Sequence, residues 1–168
     1  MMKGELSFVE YIASMGIFIS FVAYIFFLLL RYYPLYLQEM ESERKRLEAY
    51  QISELLINDF GEPANWETLV LDSVKRIGLS DDLKNKTNLL NLAKINSLQS
   101  FCNQDYYKVK EKIGSDFDFS LILFDLSNNQ LLINCFPPKV VITATNITVR
   151  RIAAFSSGGY AELIVQVW

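Results

Sequence analysis

The chain has 168 residues, 51% of them hydrophobic, a formal net charge of −3 and a pI near 5.0. That balance excludes the clustered basic face a nucleic-acid binder needs, so no DNA or RNA partner is expected. Histidine is absent, which removes the commonest general base and the commonest metal ligand and weighs against most enzymes.

In chain order, the first segment is apolar. GELSFVEYI, residues 4–12, carries Glu5 and Glu10 at the mouth of a run from Tyr11 to Leu30 that has no charged side chain. At 1.5 Å per residue, a helix of this length extends about 30 Å, the thickness of a bilayer's hydrocarbon core. The run passes into Arg31, Tyr32, Tyr33 and Pro34; the arginine and the two tyrosines are the amphipathic residues favoured at a membrane–water interface, and no small-residue cleavage site follows. The segment therefore reads as a helix that spans a membrane and stays.

Beyond Pro34 a second helical pattern runs to about Phe60. Leu37, Met40, Leu47, Tyr50, Ile52, Leu55, Leu56 and Phe60 recur at roughly helical spacing, and the charges between Glu39 and Glu48 read as a solvated face. The simplest arrangement is one long helix, kinked at the proline, with the stripe of residues 47–60 available to cover something later in the chain. GEPANWE, residues 61–67, ends it with a glycine and a proline, and Trp66 reads as a packing anchor. RIGLSDDLKNKT is read as loop, LLNLAKINSLQSF as a short helix, and DYYKVKEKIG as another that Asp105 begins and Gly114 ends.

From Phe117 the period changes to that of strands. DFSLILFDL and QLLINCF flank Ser127-Asn128-Asn129, and KVVITATNITVRRIAAF and YAELIVQVW flank Ser156-Ser157-Gly158-Gly159, giving two hairpins and about four antiparallel strands. In the last, Ala161, Leu163, Val165 and Val167 form a wholly apolar face that is assigned to the core. The fold class is α+β: a long amino-terminal helix packed on a carboxyl-terminal sheet.

Few residues suggest chemistry. Cys102 and Cys135 are too far apart for a CxxC motif; they either pair with each other or serve as two small unpaired core thiols. Asp116, Asp118 and Asp125 are explained by exposed alternation beside a turn. No phosphate loop or nucleophile elbow is present, so no catalytic residue, metal or cofactor is expected. Asn85-Lys86-Thr87 and Asn146-Ile147-Thr148 match the N-glycosylation acceptor pattern, which is weak by itself; Asn146 also reads as an outward-facing polar residue of a strand.

Taken together these residues resemble a type IV pilin-like protein of the archaeal kind. Lys3-Gly4 looks like the end of the short leader of such a prepilin, and Glu5, Leu6 and Ser7 resemble the polar start of the mature chain. The uninterrupted helix, its early glutamate, its proline and the following sheet match what the family implies; Gly61, Pro63, Trp66, Ile77-Gly78-Leu79 and the valine-rich last strand do so more loosely. The resemblance implies a leader at 1–4, a transmembrane and filament-core helix at 5–33, an amphipathic stalk at 34–60 and an extracytoplasmic head at 61–168. It also implies a prepilin peptidase that acts at Lys3, Gly4 and Glu5, an assembly ATPase with a membrane platform, lipid around the helix before assembly, and self or related pilins as filament partners. Glu10 would pair with the new α-amine of Glu5 in a neighbouring subunit, although cleavage after Gly4 makes it the sixth mature residue, one later than is usual. Two other readings stand beside a filament subunit: an uncleaved single-pass anchor with an extracytoplasmic binding module, whose Glu5 and Glu10 lie at headgroup level, and, less favoured, an enzyme.

Overall fold

The computed structural model of the protein describes residues 3–81, 88–139 and 146–168. It divides into two compact units, residues 1–41 and 42–168. A single helix, α1, Lys3–Asn58, supplies the described residues of the first unit and the opening of the second, and Pro34 lies inside it. The expectation of one long helix is met. It stops three residues before Gly61, whose φ of +83° is the left-handed conformation that glycine adopts freely.

In the second unit the remaining elements are two short 3₁₀ turns, Trp66–Thr68 and Leu71–Ser73, then β1 (Leu89–Leu90), α2 (Leu92–Gln104), α3 (Tyr106–Ile113), β2 (Phe119–Asp125), β3 (Gln130–Cys135), β4 (Ile147–Phe155) and β5 (Tyr160–Val167). The sheet order is β1-β4-β5-β2-β3. The four longer strands pair antiparallel, as expected. A fifth, β1, joins parallel to β4 through Leu89 and Leu90, residues read above as the start of a helix. That helix begins at Leu92 instead, because the Asn91 side chain accepts the Ala93 N–H at 2.8 Å and caps it. α3 has the boundaries its sequence indicates. Asp105 accepts from the Lys108 N–H, and Gly114 closes the helix in the left-handed conformation.

The core lies on one face of this sheet. Ala161, Leu163, Val165 and Val167 are all buried, together with Leu121 and Leu123 of β2, and share one apolar cluster with Ile95, Leu98 and Phe101 of α2 and with the carboxyl-terminal part of α1. The α1 face that enters the cluster differs from the stripe expected. Ile52 and Leu56 are buried, but Leu47, Tyr50 and Phe60 are exposed, and Ala49, Ser53 and Ile57 take their place beside Lys45. Ala49 and Ser53 are both fully buried, and such small side chains contribute little to a hydrophobic pattern.

Nor is the charged segment wholly a solvated face. Lys45 is only 5% exposed, with its ammonium 5.9 Å from the centre of the Phe117 ring. The Glu48 carboxylate is half-buried and accepts the N–H groups of Asp116 at 2.7 Å and Phe117 at 3.1 Å, along with the Ser115 hydroxyl. It thus ties the loop before β2 to the helix. Arg151 of β4 makes a second tie, 2.7 Å from the Glu54 carboxylate.

Around the end of α1, the chain closes on itself through Trp66 and Lys94. Trp66 is fully buried and donates to the Gly78 carbonyl at 2.9 Å. Lys94, 2% exposed, donates to the carbonyls of Phe60 at 2.7 Å and Ser80 at 3.0 Å. A buried ammonium is tolerable only when it is hydrogen-bonded in this way, and here the bonds join α2 to Phe60, just after α1, and to Ser80, in the segment that follows the 3₁₀ turns.

Candidate functional site: the apolar helix and its carboxylate

From Tyr11 to Leu30, α1 is apolar on every side. Its most apolar 18-residue stretch has a mean hydropathy of 2.4 and is 0% buried. Sixteen large apolar side chains from Phe8 to Leu30 are exposed, each more than 40%. Full burial of such a side chain is worth roughly 1.5–3 kcal/mol, so leaving these about half open in water would forgo on the order of 10–25 kcal/mol. That matches or exceeds the roughly 5–15 kcal/mol by which a whole domain is stable. Such a helix needs lipid or other helices around it. It is long and apolar enough to cross a membrane.

Lys3, Gly4 and Glu5 fall in the first turn of this helix. Glu10 is exposed, immediately before the uncharged run. The small residues Ala13, Gly16, Ser20 and Ala23 follow at intervals of three and four, a spacing that puts them on one helix face. Ser20 donates its hydroxyl to the Gly16 carbonyl at 2.8 Å, which satisfies it within the helix. A Cβ placed on Gly16 would meet nothing within 4 Å. Glycine inside a helix costs roughly 0.5–1 kcal/mol relative to alanine, and no contact among the described residues requires it here.

In the second unit the two cysteines are joined. Cys102 of α2 and Cys135 of β3 form a disulfide with Cα atoms 5.5 Å apart. It closes the question that the sequence leaves open and pins α2 to an edge strand. The same edge is guarded a residue earlier, where the Asn134 N–H donates to the Gln99 side chain at 2.6 Å.

The aspartates do not converge on one another. Asp118 pairs with Lys110 at 2.8 Å. Asp125 accepts from the N–H groups of Ser127 and Asn128 and from the Asn128 amide in the hairpin turn, and those bonds, the Asn128 amide first, hold its carboxyl below the usual range. The ion pair of Asp72 with Lys108, 2.7 Å long, lowers the first group and raises the second. These are structural roles for carboxylates, in turns and between surface helices.

Asn146 is exposed at the entry to β4; Asn85 lies outside the described residues. No family model, curated protein or solved structure matches the chain.

Proposed function

We propose that this protein is the structural subunit of a type IV pilus-like surface filament of the archaeal kind, serving attachment, made as a prepilin and assembled through its amino-terminal helix. The observation that carries the reading is the unbroken helix from Lys3 to Asn58, apolar on all sides from Tyr11 to Leu30 and part of a folded core in the second unit. One element that serves as both lipid-soluble anchor and head-domain core suits a subunit that leaves the membrane as a whole and re-buries its helix among identical helices. Gly16, which no contact among the described residues requires, suits close approach by a neighbouring helix.

In this account a prepilin peptidase removes residues 1–4, and a membrane platform with its ATPase extracts the subunit from lipid. Glu10 pairs with the freed α-amine of Glu5 on the next subunit. A carboxylate in an apolar bundle is costly unless it is paired, so the pairing sets the axial register of a head-to-tail helical array. The head, residues 61–168, then lies outside the cytoplasm.

Two substitutions test this in the source cells. Glu10→Gln keeps the side chain's size and removes its charge; filament number per cell, counted by electron microscopy, is expected to fall at least tenfold while the amount of protein in the membrane is unchanged. Gly16→Leu, whose added Cβ meets nothing within 4 Å, is expected to reduce filaments similarly. Normal filament numbers in both variants would leave an uncleaved, single-pass anchored module as the better reading.

A further inference from the structure

Beside Asn146 the second unit has a groove of about 270 Å³ between the helix and the start of β4. Ser42, Glu43, Arg46 and Tyr50 line it on the α1 side, and Asn146 and Thr148 are among the residues that line it on the other. Asn146 and Thr148 are both exposed, so each is reachable in the folded chain. Glu43 and Arg46 stand 3.6 Å apart, each about 60% exposed, and supply a carboxylate acceptor and guanidinium donors to whatever enters. Tyr50 adds an exposed ring edge; the Arg151 guanidinium lies 6.0 Å from its ring centre. Carboxylate, guanidinium and aromatic groups together suit the alternating hydroxyls and C–H faces of a sugar.

The groove is smaller than the roughly 300–1,000 Å³ of pockets that hold free ligands. A tethered occupant needs no such volume, because a short linker holds it at a local concentration in the millimolar range. We propose that Asn146 carries an N-linked oligosaccharide whose first sugars rest in this groove. The bond formed joins the Asn146 side-chain nitrogen to the anomeric carbon of an oligosaccharide carried on a polyisoprenoid phosphate. The bond broken is that carbon's bond to the phosphate oxygen; the lipid phosphate leaves, and the amide nitrogen gives up one proton to the base of the membrane-bound transferase. Thr148 supplies the hydroxyl that the acceptor pattern requires. A glycan here would also cover the polar gap between helix and sheet with a hydrated group.

This inference rests on the extracytoplasmic head of the proposed function, and the experiment separates the two. Intact source cells are first treated with a membrane-impermeant amine reagent, which reports Lys75, whose side chain is 76% exposed. The full-length protein is then purified from the same cells and digested with trypsin, which cuts after Lys139 and Arg150 and releases residues 140–150 as one peptide. The expected result is a labelled Lys75 and a 140–150 peptide heavier by a whole number of sugar residues, with fragmentation placing the added mass on Asn146. Asn146→Gln and Thr148→Val are expected to abolish the added mass, and Thr148→Ser to restore it. A labelled Lys75 with an unmodified peptide would overturn the glycan and leave the topology standing. An unlabelled Lys75 with an unmodified peptide would overturn both. For the groove, Asn146→Gln is expected to lower Tm in the wild-type background and to have little further effect in Tyr50→Ala; equal losses in both backgrounds would show that the sugar does not rest there.

Discussion

Breaking the bridge between Cys102 and Cys135 is the perturbation whose cost the structure sets most directly. The bridge closes a loop of 33 residues, and the chain-entropy relation gives about 3.7 kcal/mol at 25 °C for a loop of that length. Set against the roughly 5–15 kcal/mol that stabilises a typical domain, this is a quarter or more of the total. In a domain the size of residues 42–168, about 3.7 kcal/mol corresponds to a Tm shift on the order of 10–20 °C. The assay is a thermal melt of the full chain in detergent micelles, followed by near-ultraviolet circular dichroism, on three samples: oxidised wild type, reduced wild type and Cys102→Ala/Cys135→Ala. Reduction leaves both sulfur atoms in place, so the drop from oxidised to reduced wild type measures the cross-link. The further drop to the double alanine variant measures lost packing around Cys135, which is buried. If oxidised and reduced samples melt within about 3 °C of one another, the argument from loop closure is wrong for this domain. Free thiols that alkylate without reductant would show that the bond is not made at all.

Further expectations concern the closure around α1 and the buried polar groups. Lys94→Met keeps the volume but leaves the Phe60 and Ser80 carbonyls without their donor; it is expected to cost about 2–4 kcal/mol in urea denaturation, and a neutral result would mean that water replaces the ammonium. Gly78→Ala would drive a methyl group into the Asp59 carbonyl, for an expected loss of about 1–3 kcal/mol by the same measurement, whereas Gly16→Ala should leave the stability of the head unchanged. Tyr106 donates to the Phe119 carbonyl and accepts its N–H, both at 2.9 Å, and burial pushes its phenol up to about 12. The native state therefore holds this proton above pH 10, where the unfolded chain releases it. The stability so gained is complete below pH 10 and is lost as pH rises to 12, on the order of 2 kcal/mol. Urea midpoints at pH 9 and 11.5 should show the fall, with a smaller one in Tyr106→Phe; equal falls in the two proteins would contradict it.

Much of this fold is legible where side-chain pattern and backbone requirement agree. The caps Asp105 and Gly114 bound α3, Asn129 takes a positive φ in the first hairpin turn, and the alternation in β5 identifies the core face residue by residue. Legibility fails where burial is achieved by residues with little hydrophobic signal. Ala49, Ser53 and Lys45 join Ile52, Leu56 and Ile57 on the buried side of α1, so a reading based on large apolar residues places Leu47 and Tyr50 inward when they are exposed. A two-residue strand such as β1 is too short to show a period, although the cap at Asn91 marks the true start of the helix after it. Spacing alone left the pairing of Cys102 with Cys135 open, because only the fold brings α2 against β3. At the amino terminus the apolar run is plain in both sequence and structure. The proposed partner of Glu10 is not, since a pairing between copies is not visible in one chain.

The central claim is that this chain is processed and polymerised, and the most direct measurement is the intact mass and amino-terminal sequence of the protein from its native membrane and from sheared surface filaments. The account predicts a filament form that begins at Glu5, having lost Met1 to Gly4. A functional surface form that still carries Lys3-Gly4 would contradict it.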